Sequence, residues 1–90
     1  MTKRPSKRLI LTGLDIAYTA GAIATQIQAM TRQPWAFPVR DVERTIGILD
    51  ECRAALRPEN IDAETTARMD RVVAEAERAI AAGKFVADEA

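Results

Sequence analysis

Apolar residues recur along the first third of the chain at alternating spacings of three and four, the period of a helix rather than a strand. Leu9, Gly13, Ile16, Ala20, Ile23, Ile27 and Met30 form one seam, and Ile10, Leu14, Ala17, Gly21 and Ala24 form a second beside it. The polar positions Arg8, Thr12, Asp15, Thr19 and Gln26 keep to one stripe. At 100° per residue that stripe spans only about a quarter of the circumference. The pattern predicts a first helix from about Ser6 or Lys7 to about Met30 or Thr31. A helix apolar over so wide an arc must be covered on more than one side. Two partner helices of the same chain can cover part of it, and a second copy of the chain the rest.

Pro34 and Pro38, then Arg57-Pro58, then Gly83 punctuate the remainder, since proline and glycine mark helix ends and turns. A second helix is predicted from about Val39 to Leu56, started by Pro38, whose missing N–H is harmless there. Its core face is Val39, Val42, Ile46, Leu49, Cys52 and Leu56. Charges of mixed sign occupy the other face, with Asp41–Arg44 and Asp50–Arg53 spaced to pair. A third helix is predicted to start near Asp62 as N-cap, with Glu64 in the favourable first turn. Met69, Val72, Val73, Ala76, Ala79 and Ile80 make its apolar stripe, and Glu64–Arg68 and Arg71–Glu75 are spaced to pair on the wet side. Gly83 ends it. Phe85 and Val86 are expected to fold back onto the bundle, with the C-terminus, within 86–90, frayed. The expected fold is therefore all-α: a compact three-helix bundle in a single domain over 1–90, with a basic N-terminal tail over 1–6. It is expected to dimerise through the long apolar first helix.

Composition narrows the chemistry. Of 90 residues, 48% are hydrophobic and 29% charged, as in a globular chain, and there is one cysteine and no histidine. A single cysteine excludes an internal disulfide framework and a cysteine-based metal site. The lack of histidine removes the commonest general base. No glycine-rich phosphate loop is present, and Asp41, Glu43, Asp50 and Glu51 alternate with arginines, as on a solvated face. No catalytic residue, cofactor site or metal ligand is expected. Cys52, on the core stripe, reads as a small buried hydrophobe.

Lys3, Arg4, Lys7 and Arg8 followed by an apolar run to Ala24 have the outline of a secretory signal. Asp15 stands in the middle of that run, where a charge costs about 2.5–3.5 kcal/mol on insertion scales. A membrane segment is not expected, and the chain reads as cytoplasmic. Net charge is zero, yet residues 1–40 carry an excess of five positive charges and residues 41–90 an excess of five negative ones. Such a dipolar layout suits self-association or a charged protein partner. Nucleic acid is not an expected partner, because the third helix carries Asp62, Glu64, Asp70, Glu75 and Glu77 against three arginines and would repel phosphate. A DNA-associated role through the basic tail is the weaker alternative.

Two groups of residues are candidates for contact. Trp35 and Phe37 lie between two prolines at the first turn, with Arg40 and Arg44 just beyond. The aromatic pair either plugs the end of the bundle or anchors a partner, a role in which tryptophan is enriched. Gly13, Ala17, Tyr18 and Gly21 are the candidates for self-association. Glycine inside a helix costs about 1 kcal/mol relative to alanine, so a close neighbouring backbone is expected there, either that of helix 2 or that of a second copy. Asp15 is either a solvent-facing or paired carboxylate, or a specificity device facing an arginine across the dimer.

Phe37-Pro38-Val39-Arg40-Asp41-Val42-Glu43-Arg44, entering a second helix, resembles the turn that opens helix 2 in the all-helical chorismate mutases, and Ile61-Asp62-Ala63 is similar to the start of their helix 3. The resemblance covers about ten residues. It implies a dimer of interlocked three-helix chains whose cationic side chains bind a dicarboxylate, with Arg4, Arg32, Asp41 and Arg44 at family-like positions and Arg32 in place of a lysine. The chain departs from that pattern at Gly21, near the place of a mid-helix arginine. It departs again at Thr45, in place of a glutamate, and at Glu77 and Ala81, in place of small polar and glutamine side chains.

The leading expectation is a non-catalytic helical protein that acts by protein–protein interaction, as a regulator, inhibitor or accessory factor. Factors of phages and mobile elements that antagonise host defence have this build. A small mutase-like enzyme is the alternative.

Overall fold

The computed structural model describes residues 13–88, with side chains from Asp15 onward. It contains α1 (Gly13–Arg32), a 3-10 turn (Pro34–Ala36), α2 (Val39–Ala55), a second 3-10 turn (Pro58–Asn60) and α3 (Ala63–Ala81). The helix ends expected from the pattern agree with these within two residues wherever they are described. The start of the first helix, with Leu9, Ile10 and the basic tail, lies outside the described residues. Among the described residues the one β pairing is an isolated bridge between Pro38 and Val86. The chain is an all-α three-helix bundle.

α1 is its middle member. It packs against both α2 and α3, while α2 and α3 touch each other little. The reason lies in side-chain size. Ala20 and Ala24 are wholly buried, so neighbouring helices approach closely, and Ile27 and Met30 fill the space further along. α2 brings Val42, Ile46 and Leu49 to this core, and α3 brings Met69, Val72, Ala76 and Ala79. The body is flattened, 44 × 38 × 17 Å.

Two expectations about α1 need correction. The exposed arc is wider than the polar stripe of the sequence, because Tyr18, Ala22, Thr25, Ala29 and Arg32 join Asp15, Thr19 and Gln26 on it. Both partner helices gather on the opposite side. The close packing expected of Gly21 against helix 2 is also absent, since a Cβ built there meets nothing within 4 Å. Ala20 and Ala24 carry the close approach instead.

Helix ends are satisfied in three ways. Asp62 accepts the Thr65 N–H at 2.7 Å and caps α3. At the other end of α3, Gly83 adopts φ 71°, a left-handed conformation that glycine enters without a Cβ clash. Gly83 N–H donates to the Ile80 carbonyl and Lys84 N–H to the Ala79 carbonyl, both at 3.0 Å, the paired bonds of a Schellman stop. The start of α2 is different. Pro38 offers it no side-chain acceptor, and the missing acceptors come from the C-terminal segment. Val39 N–H donates to the Val86 carbonyl at 2.9 Å, and Arg40 N–H to Asp88 Oδ1 at 3.0 Å. Val86 folds back as the sequence suggests; the correction is to fraying within 86–90, since Asp88 too is tied to α2, because the orphan N–H groups of a helix start need partners. Residues 89–90 lie outside the described residues.

Two arginine side chains reach between helices. Arg53 Nη2 donates to Asp70 Oδ1 of α3 at 2.6 Å, not to Asp50. Arg68 of α3 donates to Thr25 Oγ1 of α1 at 3.0 Å.

The glycines give a direct check. Gly21 and Gly47 are helical with open space where a Cβ would stand, so Gly21→Ala and Gly47→Ala should each stabilise by about 0.5–1 kcal/mol. Gly83→Ala should destabilise by roughly 1–2 kcal/mol through its left-handed backbone. Urea unfolding followed by circular dichroism measures all three. Asp62 supplies a second check. The hydrogen bonds from Thr65 hold its carboxyl below the ordinary value of 3.8. The folded state thus favours the ionised form, and this contribution is present above pH 3.8 and lost as pH falls through the lower folded value. Asp62→Asn keeps an acceptor but does not titrate. The difference in Tm between the two proteins should stay level at neutral pH and change only in that acidic window.

Candidate interaction site

The link from α1 to α2 is short and internally bonded. Ala36 N–H donates to the Gln33 carbonyl at 3.0 Å and Phe37 N–H to the Pro34 carbonyl at 3.3 Å. Proline at the first position suits the turn, since its φ is already fixed and no N–H is lost. In a turn of about three residues per cycle, positions two apart point to different sides. Trp35 and Phe37 are so placed, and the structure separates them. Phe37 is half-buried and packs against the core. Trp35 is 71% exposed. The choice between plug and anchor thus divides by residue.

Arg40 and Arg44 are both exposed and lie one turn apart on α2. Ile48, one turn further, is exposed as well. Sequence reasoning missed Ile48 because it falls between charged positions, off the core stripe. Val86 is 44% exposed and is held next to Phe37 and Val39 by its backbone bonds. Arg40, Arg44 and Ile48 thus follow one another along the exposed side of α2, with Val86 held at the helix start, a mixture suited to protein contact.

The second group lies on α1. Tyr18 is 81% exposed. Ala17 and Gly21 are half-buried on the adjoining flank, and Gly13 is described only as the first residue of the helix. Asp15 is exposed.

Clefts mark the described surface, three of them well formed. One of about 190 Å³ lies between α2 and α3, lined by Glu43, Ile46, Glu77 and Ile80. A second is lined by Pro58, Ile61, Ala63, Thr66, Ala67 and Asp70. A third is lined by Thr31, Glu75, Arg78, Ala79, Ala82 and Lys84. Neither Arg32 nor Arg44 lines any of the three, and Arg4 lies outside the described residues. Glu43 and Glu77 give the first cleft a charge that opposes a dicarboxylate. Burial, then the neighbouring Glu51 carboxylate, pushes the Cys52 thiol up, so it stays protonated at neutral pH and is a weak nucleophile. Among the described residues no group of three or more cysteine or carboxylate side chains is placed to hold a metal ion. No described helix is long and apolar enough to cross a membrane.

No family model, no curated protein and no solved structure matches the chain.

Sequence reasoning also missed the contribution of Val86 and Asp88. The available signal was Pro38 itself: a helix opened by a residue with no capping side chain must find its acceptors elsewhere in the chain.

The division between the two aromatics predicts opposite stability effects. Trp35→Ala should change stability by no more than about 0.5 kcal/mol, as for an exposed site. Phe37→Ala should cost roughly 1–3 kcal/mol, less than a fully buried phenylalanine. Chemical denaturation of the two variants beside the parent measures the contrast.

Proposed function

We propose that this chain is a small non-catalytic protein that acts by binding another protein, as a regulator, inhibitor or accessory factor, with Trp35, Arg40 and Arg44 at the contact. The observation that carries the reading is the 71% exposure of Trp35 on a turn whose backbone is internally bonded. An aromatic ring presented in this way offers a large apolar area to a partner, and a turn already ordered loses little freedom on binding. Phe37 serves the contact from behind, by packing against the core. Arg40 and Arg44 supply the charged part of the surface, for which an acidic partner is the match.

The same proposal includes a homodimer through α1. The exposed Tyr18 and the open space beside Gly21 support a second copy on that flank. The opposite charges of the two halves of the chain favour it as well. The proposal places the protein in the cytoplasm, where a lone cysteine stays reduced. Antagonists of host defence encoded by phages and mobile elements are one class that works in this manner.

The test is capture from a nuclease-treated host lysate by the tagged full chain, with Trp35→Ala as the control because that change spares the fold. A protein enriched by the parent and reduced at least tenfold with the variant is the expected result. Equal enrichment by both moves the site away from Trp35, and no enrichment contradicts the reading. Light scattering across micromolar concentrations should give the mass of two chains, and one chain throughout would contradict the dimer.

A further inference from the structure

The C-terminal segment ends where the proposed contact begins. Gly83 reverses the chain after α3, and Phe85, 5% exposed, pins the segment into the core. Beyond Phe85 the attachment changes character. Val86 N–H donates to the Phe37 carbonyl and Val39 N–H to the Val86 carbonyl, both at 2.9 Å. Arg40 N–H donates to Asp88 Oδ1 at 3.0 Å. Val86 is already 44% exposed and Ala87 and Asp88 are exposed, so lifting 86–88 breaks these bonds while uncovering part of a single large apolar side chain. Local opening of this kind needs far less free energy than unfolding a helix.

Its consequences reach α2. Pro38 has no N–H of its own, and it gives the helix no side-chain acceptor. With 86–88 lifted, the N–H groups of Val39 and Arg40 lose the partners that the structure shows. The negative charge of Asp88 also leaves the positive end of the α2 dipole. Unsatisfied first-turn amides favour fraying, and Phe37, the residue that seats the Trp35 turn, is bonded to the same strap.

We propose that residues 86–88 are a detachable strap, anchored by Phe85 in the core, that opens together with the first turn of α2 and so controls the order of the Trp35 turn. The assignment of that turn as a contact site rests on the function proposed above; the coupled opening does not. Any process that captures residues 86–88 therefore loosens the site.

Amide hydrogen exchange on the full chain, resolved by residue, tests the coupling. Val86→Pro removes the N–H that bonds to Phe37 and should speed exchange at both Val39 and Arg40 at least tenfold, with Ile27 and Val72 unchanged. Asp88→Ala should speed the same two amides to a smaller degree, and Asp88→Asn, which keeps an acceptor oxygen, should restore slow exchange. The proposal is overturned if Val39 and Arg40 keep the parent rates in Val86→Pro. It is also overturned if Ile27 and Val72 speed up in step, which would make the strap part of the global fold. A response to Asp88→Ala at Arg40 alone would overturn it too, since the bonds would then open independently. None of these readouts requires a binding partner, so the strap and the contact site can fail separately.

Discussion

The structure depends on the burial of one face of α1 between two helices that scarcely meet. Ala20, Ala24 and Ile27 are completely buried, and α2 and α3 are packed together chiefly through them. Small side chains in the middle of α1 let both neighbours approach, and the larger residues of the neighbours fill the space. Met69 from α3 and Leu49 and Val42 from α2 are as fully enclosed as Ile27. The core is thus shared by way of α1, and the flattened body leaves much of each helix facing outward.

That geometry bears on function. The outer helices touch each other little and meet chiefly through α1. The cleft between α2 and α3 is small and carries two glutamates. What the fold provides is surface: the outer arc of α1 with Tyr18, the outer face of α2 with Arg40, Arg44 and Ile48, and the turn that projects Trp35. Under the function proposed above, these are the surfaces that a protein partner would meet. Hydrogen bonds from Val86 and Asp88 reach Phe37, Val39 and Arg40, beside the Trp35 turn.

Much of the fold was legible in the sequence because helical periodicity and its punctuation are local signals. The three-and-four spacing of Val42, Ile46 and Leu49, the cap at Asp62 and the stop at Gly83 each follow from a few neighbouring residues. What was not legible depends on partners distant in the chain. Periodicity shows that α1 is apolar over a wide arc but not that both neighbours lie on one side, so Tyr18, Ala22 and Ala29 emerge on the open side. Gly21 marked a close approach that Ala20 and Ala24 provide. Spacing along α2 points Arg53 to Asp50, and only the placement of α3 shows that Asp70 is the carboxylate it reaches. Aromatics two positions apart could not be divided into Phe37 within and Trp35 without, because a three-residue turn decides it. Asp88 looked like part of a loose end, since nothing nearby in sequence says that a helix start 48 positions earlier lacks an acceptor.

The claim that α1 is the common support of both outer helices is open to a single measurement, native-state hydrogen exchange of the parent protein as a function of denaturant. If both outer helices rest on α1, the core amides of Leu49 in α2 and Val72 in α3 should show opening free energies no greater than that of Ile27 in α1. All three should then merge with global unfolding as denaturant rises. Protection at Leu49 or Val72 that outlasts protection at Ile27 would mean that an outer helix holds its structure without α1, and would contradict the account.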